Sequence, residues 1–393
     1  MHKFVFFLLL IIATNTAMAD SQTIRIGLNA DMSGPDYRSG EAIRRGTELA
    51  ISQINADGGV LGRSLELVVR DHRRNPARGI VNVQELASDS NVVAIMGGKH
   101  TPVILAELEH IHKVEIPYLV PWAAGTSVVE NGYHLNYVFR VSVRDEYAGN
   151  FLVQYAAYQG YERIALLLEH TGWGRSNERA ITDALQQHQM QLVRTDWFNW
   201  GQDVFDDALQ RFKETEADVI IFVGNVPDGI AMAQALLQLP EPERFPVISH
   251  WGITGGDFQE VLAEELPQLD VAFLQTFSFF NPPYPERAEL LARQYVDRYD
   301  DTDNWQQIMA PTGVAHAYDL THLLAQAIER AGSTDRAQVK AALEEIDFHP
   351  GVVRDYVQPF TADYRDALSI DDFSMARFCN GTIKPSSITC EEE

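Results

Sequence analysis

Val92-Val93-Ala94-Ile95-Met96-Gly97-Gly98-Lys99-His100-Thr101-Pro102 is the stretch on which the fold turns. Val92 to Met96 is an unbroken apolar run, the mark of a strand buried on both faces in a parallel sheet. A glycine pair ends it. Thr101 then stands as an N-cap with Pro102 at the first helical position, which predicts a helix over Pro102 to His112. A buried strand that passes through a short loop into a helix is half of a β-α-β unit.

The same alternation extends in both directions. Upstream lie strands over Ile24 to Leu28 and Leu65 to Val69, and helices over Glu41 to Asn55, ended by Gly58-Gly59, and Arg78 to Ala87. Downstream, Ile116 to Val120 reads as a strand. The pattern then restarts. Helices are expected over Tyr147 to Tyr158, Asn177 to Gln187, Phe205 to Lys213 and Gly229 to Leu237. Between them fall strands Ile164 to Leu168, Val219 to Val223 and Val247 to Ser249, with Leu192 to Trp197 extended. Two α/β units in tandem predict two doubly wound, Rossmann-like lobes with a cleft between them. The remaining segments are expected to complete these lobes, so that the chain crosses between them more than once. They are a strand-like Val271 to Phe280, helices Glu286 to Tyr299 and Ala310 to Ala331, a helical Val339 to Ile346 and a strand Phe373 to Phe378.

The 393 residues carry 31 Lys+Arg against 55 Asp+Glu, a net charge of −24, and are 46% hydrophobic. The apolar content excludes disorder as a description of the whole. The acidity argues against nucleic acid or an anionic membrane surface as a partner. Lys3, the apolar run Phe4 to Ala13 and Ala17-Met18-Ala19 are the three parts of a secretory signal. Residues 1–19 are therefore read as a leader cleaved after Ala19, in an exported protein. Cys379 and Cys390 are the only cysteines. In an oxidising compartment they would close a short loop worth roughly 3 kcal/mol; two unpaired thiols are the alternative.

Ligands of open parallel sheets sit beyond the carboxyl ends of the strands. Two such loops invite attention. In Gly97 to Pro102, backbone N–H groups and the Thr101 hydroxyl at a helix N-terminus suit a carboxylate, unless Thr101 only caps the helix. In Pro121-Trp122-Ala123-Ala124-Gly125-Thr126, small residues permit close backbone approach and Trp122 offers a flat apolar wall, unless it is a core Trp at a tight turn. Gly172-Trp173-Gly174-Arg175-Ser176-Asn177 lacks the third glycine of a dinucleotide fingerprint. His110 and His112 would point to different helix faces and make a poor metal pair. Arg70, Arg73 and Arg74 would either orient an anionic group or form ion pairs. No nucleophile elbow or phosphate loop occurs. No enzyme activity, cofactor or metal site is expected.

Ile24-Arg25-Ile26-Gly27-Leu28, Met32-Ser33-Gly34-Pro35 and Ile54-Asn55-Ala56-Asp57-Gly58-Gly59-Val60-Leu61-Gly62 form a recognisable series with Ile116-Pro117, Phe139-Arg140 and Trp173-Gly174. It resembles the leucine/isoleucine/valine-binding family of type I periplasmic solute-binding proteins over essentially the whole mature chain. The resemblance implies two lobes joined by three crossovers, 20–141 with 276–347 and 142–275 with 348–393. It implies a monomeric periplasmic protein that closes on a small amino-acid-like, amide or carboxylate solute and hands it to the membrane subunits of an ABC permease. A sensory module built on the same trap is the alternative.

By position, Thr101 stands where a hydroxyl grips the ligand carboxylate. Ala123, Ala124 and Thr126 stand in the loop that binds carboxylate and amino groups. Trp173 stands where an aromatic covers the ligand, Asn225 where a second aromatic is common, and Ser39 where some members place a Tyr. Trp251 falls at or near the acid that pairs with a ligand ammonium in amino-acid binders, with Asp145 or Glu146 as other sources of charge. Trp122, Tyr147, Trp173 and Trp251 would otherwise line a cleft for an amide, an aromatic acid or another apolar carboxylate.

Overall fold

Seven residues from Ile24 to Ala30 are buried at nearly every position and form an inner strand, as an apolar run covered on both faces must. The computed structural model describes residues 23–390; the expected leader and Glu391 to Glu393 lie outside the described residues. The first unit runs β1 (Ile24–Ala30), α1 (Tyr37–Ala56), β2 (Leu65–Asp71), α2 (Pro76–Ser88), β3 (Val92–Gly97), α3 (Thr101–Lys113), β4 (Tyr118–Val120), α4 (Thr126–Val129) and β5 (Val138–Arg140). Its sheet has the order β2-β1-β3-β4-β5, every neighbour parallel.

The second unit runs α5 (Asp145–Tyr158), β6 (Arg163–Glu169), α6 (Gly172–Gln187), β7 (Gln191–Phe198), α7 (Asp206–Glu214), β8 (Val219–Val223), α8 (Val226–Gln238), β9 (Val247–Ser249), α9 (Phe258–Val261) and β10 (Val271–Gln275). The parallel order β7-β6-β8-β9-β10 repeats that of the first sheet.

The chain then returns to the first unit. After α10 (Pro285–Arg298), the long apolar helix α11 (Pro311–Ala331) packs along α1, and α12 (Arg336–Leu343) packs on α11. A hairpin of β11 (Phe348–Pro350) and β12 (Asp355–Val357) follows. It is held by Asp319 of α11, which accepts from the Val352 and Val353 N–H groups at 2.8 and 2.9 Å and from the Tyr356 hydroxyl at 2.9 Å. Finally β13 (Ser374–Cys379) and β14 (Thr382–Pro385) add antiparallel strands to the second sheet beyond β10. Cys379 and Cys390 form a disulfide that fastens the tail to the end of β13. A buried ion pair, Arg140 Nε to Asp366 Oδ1 at 2.5 Å, joins the end of β5 to the segment that follows the hairpin.

The doubly wound α/β architecture is therefore the expected one, with local corrections. Thr101 is not the N-cap of α3; His100 is, and Thr101 and Pro102 are its first two residues. Helix α6 begins at Gly172, five residues ahead of the expected start, because the Thr171 hydroxyl caps it by accepting from the Trp173 N–H. The strand expected over Val271 to Phe280 stops at Gln275. The short strands β5, β11, β12 and β14 were not anticipated, since three or four residues are too few to show a period.

Candidate functional site

Each sheet grows outward in both directions from one strand pair, β1/β3 in the first and β6/β8 in the second. At such a point the flanking loops leave on opposite sides and open a crevice at the carboxyl ends of the strands. The two crevices meet. Lys99, His100, Thr101, Trp122 and Ala124 of the first unit and Glu169, Trp173, Asn225, Trp251 and Gly252 of the second line one shared cavity. Its volume is about 10 Å³, room for about one water molecule.

The first wall is built on the loops after β3 and β4. The Thr101 hydroxyl accepts from the Gly125 N–H at 3.1 Å, which ties the two loops together. A side chain at position 125 would collide with the Thr101 methyl, so this close approach requires glycine. Trp122 is 1% exposed, and its buried Nε1–H has no hydrogen-bond partner. Its ring faces Trp251 of the second wall at 5.7 Å between centroids.

The second wall is polar behind its aromatics. Trp173 donates through Nε1 to Asp145 Oδ1 at 3.1 Å and meets the His250 ring edge-on at 5.0 Å. Glu169 ends β6. Its carboxylate accepts from Asn225 Nδ2 and Trp200 Nε1, both at 2.8 Å, and from the Thr171 hydroxyl at 2.5 Å. Burial pushes its pKa up to about 7, and the donors from Thr171 and Trp200 offset this only in part.

Ion pairs and hydrogen bonds cross from one unit to the other. The Lys99 ammonium, carried by the loop after β3, donates to Asp36 Oδ1 at 2.5 Å and to the Gly252 carbonyl of the opposite wall at 3.0 Å. Asp36 also lies 3.3 Å from His100 Nε2 and 3.4 Å from Arg74, and accepts from the Val226 N–H at 3.4 Å. Burial alone would raise the Asp36 pKa, but Lys99, His100 and Arg74 outweigh it and hold the carboxyl well below its usual range. The same burial lowers the pKa of Lys99 and of His100, with Asp36 opposing it. Arg74 stacks over the Trp200 ring of the second unit at 4.4 Å. At the rim, Arg38 pairs with Asp257 at 2.8 Å and with Glu260.

The profile of the periplasmic binding protein family matches residues 23–365. The chain belongs to that family. It is 22% identical over 362 residues to the Leu/Ile/Val-binding protein BraC3 of Rhizobium johnstonii, an alignment that covers 92% of this chain and 93% of the relative. A periplasmic binding protein type 1 from Bordetella pertussis superposes with a TM-score of 0.83 at 25% identity, covering 93% of this chain and 100% of that one. The isoleucine-bound substrate-binding protein of a branched-chain amino acid transporter from Streptococcus pneumoniae gives 0.78 at 21% identity, covering 92% and 98%. The family is the one the sequence resembles, and the paired doubly wound sheets are its type I fold. No helix among the described residues is long and apolar enough to cross a membrane.

Of the residues singled out in the sequence, Thr101, Trp122, Ala124, Trp173, Asn225 and Trp251 line the cavity. Four others do not. Ala123 is fully buried in the core behind the loop. Thr126 opens α4, with its N–H on the Ser176 hydroxyl at 3.2 Å. Tyr147 sits on α5 under the Arg144 guanidinium at 5.4 Å. Ser39 lies at the seam between the units, its N–H donating to the Gly255 carbonyl at 3.0 Å. Of the three arginines, Arg70 pairs with Glu85 and Arg73 with Asp71, while Arg74 faces Asp36.

Lys99, His100, Glu169 and Asp36 were not singled out. Lys99 and His100 stand inside the quoted loop, but one charged residue in a loop of an acidic chain looks like solvated charge until its burial is known. Asp31, Asp36 and His100 bring ligand atoms within 4.8 Å of one another. This set does not suit a metal ion, because the Lys99 and Arg74 cations already sit on Asp36.

Proposed function

We propose that the protein is the exported solute-binding component of an ABC importer. It captures a small amino-acid-like or carboxylate solute between two lobes and delivers it to a membrane permease. The observation that carries this reading is the cavity at the two facing switch points, walled by Trp122, Trp173 and Trp251 and floored by the Thr101–Gly125 loop contact. No nucleophile with a base and an orienting partner stands in it, which supports binding rather than catalysis.

In this reading the lobes are 20–141 with 276–347 and 142–275 with 348–393. We shift the last of these boundaries from 347 to beyond the β11–β12 hairpin, because Asp319 anchors that hairpin to α11. A cavity of about 10 Å³ admits no such solute, so entry requires the lobes to part about the connecting segments. The first lobe binds through Thr101 and the loop carrying Trp122 and Ala124. The unpartnered Trp122 N–H supplies a donor for a carboxylate oxygen. The second lobe then swings Trp173, Asn225 and Trp251 over the solute, which excludes water and strengthens those hydrogen bonds. The closed form is the signal for the permease. A leader removed after Ala19 would deliver the chain, as a monomer, to the periplasm.

The test is thermal-shift screening of mature protein stripped of carried-over ligand by unfolding and refolding. The panel spans amino acids, short amides, and aliphatic and aromatic carboxylates. A ligand at 100 times its dissociation constant adds about 2.7 kcal/mol, a readable shift. A melt that no member of the panel moves refutes the reading.

A further inference from the structure

Among the described residues, the cavity lining has a buried donor to spare and no carboxylate without a partner. Among the described residues, Glu169 is the only carboxylate in its lining, and its oxygens already accept from Trp200, Asn225 and Thr171. The Gly252 carbonyl accepts from Lys99, and the Ala124 carbonyl from the Asp145 N–H at 2.9 Å. Asp36, behind Lys99, has Arg74 and His100 on its other oxygen. Asp145 stands behind Trp173, outside the lining; its Oδ1 is engaged by the Trp173 N–H and faces His250 at 3.3 Å, while its buried Oδ2 has no partner. The free ring nitrogen of His100 carries no negative charge to set against an ammonium. On the donor side, the buried Trp122 N–H has nothing to bond.

We propose that Lys99 is a specificity-determining residue whose ammonium fills the cation position of the cleft, so that the solute is a carboxylate without an amino group. The inference rests on the reading of this cleft as the solute site. The Lys99 ammonium sits in the cavity lining between the Asp36 carboxylate and the Gly252 carbonyl of the opposite wall, and the residue is 6% exposed. A second ammonium would meet the first at close range with no unengaged carboxylate in the cavity lining, and a buried unpaired charge is costly. An amino-free acid asks only for donors and apolar walls, which Trp122 and the facing tryptophans provide.

The experiment measures calorimetric affinities of the stripped mature protein for matched pairs, 4-methylpentanoate with leucine and 3-phenylpropanoate with phenylalanine. Wild type should bind the amino-free member of at least one pair about 100-fold more tightly than its amino acid. Lys99→Met keeps the apolar stem, leaves Asp36 with Arg74 and His100, and frees the Gly252 carbonyl; it should shrink that ratio at least about tenfold. Lys99→Arg, which keeps the charge, should retain the wild-type preference. Wild type that prefers the amino acid overturns the inference and leaves the proposed function standing. A ratio unchanged in a folded Lys99→Met protein overturns the role of Lys99. Binding of neither member of either pair, by a protein whose melt responds to other solutes, overturns the solute class. Should Lys99→Met not fold, the wild-type ratio and Lys99→Arg decide.

Discussion

Glu169→Gln should make the protein more stable at neutral and alkaline pH and change little in acid. Glu169 is buried at the end of β6, and its pKa stands at about 7 against an ordinary 4.5. A carboxyl raised in the folded state contributes stability that is fully present below its unfolded pKa and is lost as pH rises through the folded one. The window is therefore from about 4.5 to about 7. At 1.36 kcal/mol per pH unit, ionising this group costs the fold about 3 kcal/mol by pH 8. Glutamine copies the protonated acid. Its carbonyl can accept from Trp200 and Asn225, as one Glu169 oxygen does now, and its NH₂ can donate to the Thr171 hydroxyl. The assay is urea unfolding of both proteins from pH 4.5 to 8. Subtracting wild type from variant cancels other titrating groups, notably Glu107 and Asp319, which burial also raises, to about 8 and about 6. The difference should be near zero at the acid end and approach about 3 kcal/mol in favour of the variant at the other. A difference that is flat with pH, or one that favours wild type at pH 8, refutes the argument that burial keeps this acid neutral.

Thr101→Val removes the acceptor of the Gly125 N–H and should weaken a carboxylate ligand by about 1–3 kcal/mol; unchanged affinity by calorimetry takes Thr101 out of the site. Gly252→Ala drives a methyl into the Gly224 carbonyl and to within 2.8 Å of the Trp173 ring. It should cost about 1–3 kcal/mol in urea unfolding, and a neutral result would mean that the loop after β9 yields easily. Asp366→Ala strands Arg140, which is 0% exposed, and should cost about 3–5 kcal/mol in the same assay. A loss under 1 kcal/mol would mean that water or the Ala123 and Gly125 carbonyls, which Arg140 already reaches, satisfy the guanidinium.

The elements most legible in the sequence were those whose signal is local. Strand β3 is an unbroken apolar run because helices cover both of its faces, and that covering is written in five adjacent residues. The loops after β3 and β4 could be named as cavity-lining loops because a parallel sheet puts its crevice at strand ends whatever the side chains are. Thr101 lines the cavity, but not as the cap of a helix. It takes the N–H of a glycine in the next loop. Ala123, in the same run as Trp122 and Ala124, packs into the core instead, and no composition rule says which residue of such a run will face the cavity.

Alternating strand and helix, the order of the two units and the expectation of a cleft follow from residues a few positions apart, and the sequence by itself determined them. What lies inside the cleft was decided by tertiary structure. Lys99 reaches Asp36 across 63 positions and Gly252 across 153, and Asn225 reaches Glu169 across 56. Burial turns such residues from solvated surface charge into a lysine committed to a partner and an acid held near neutrality. The free energy of a charge depends on what surrounds it in space, and neighbours along the chain carry little of that information.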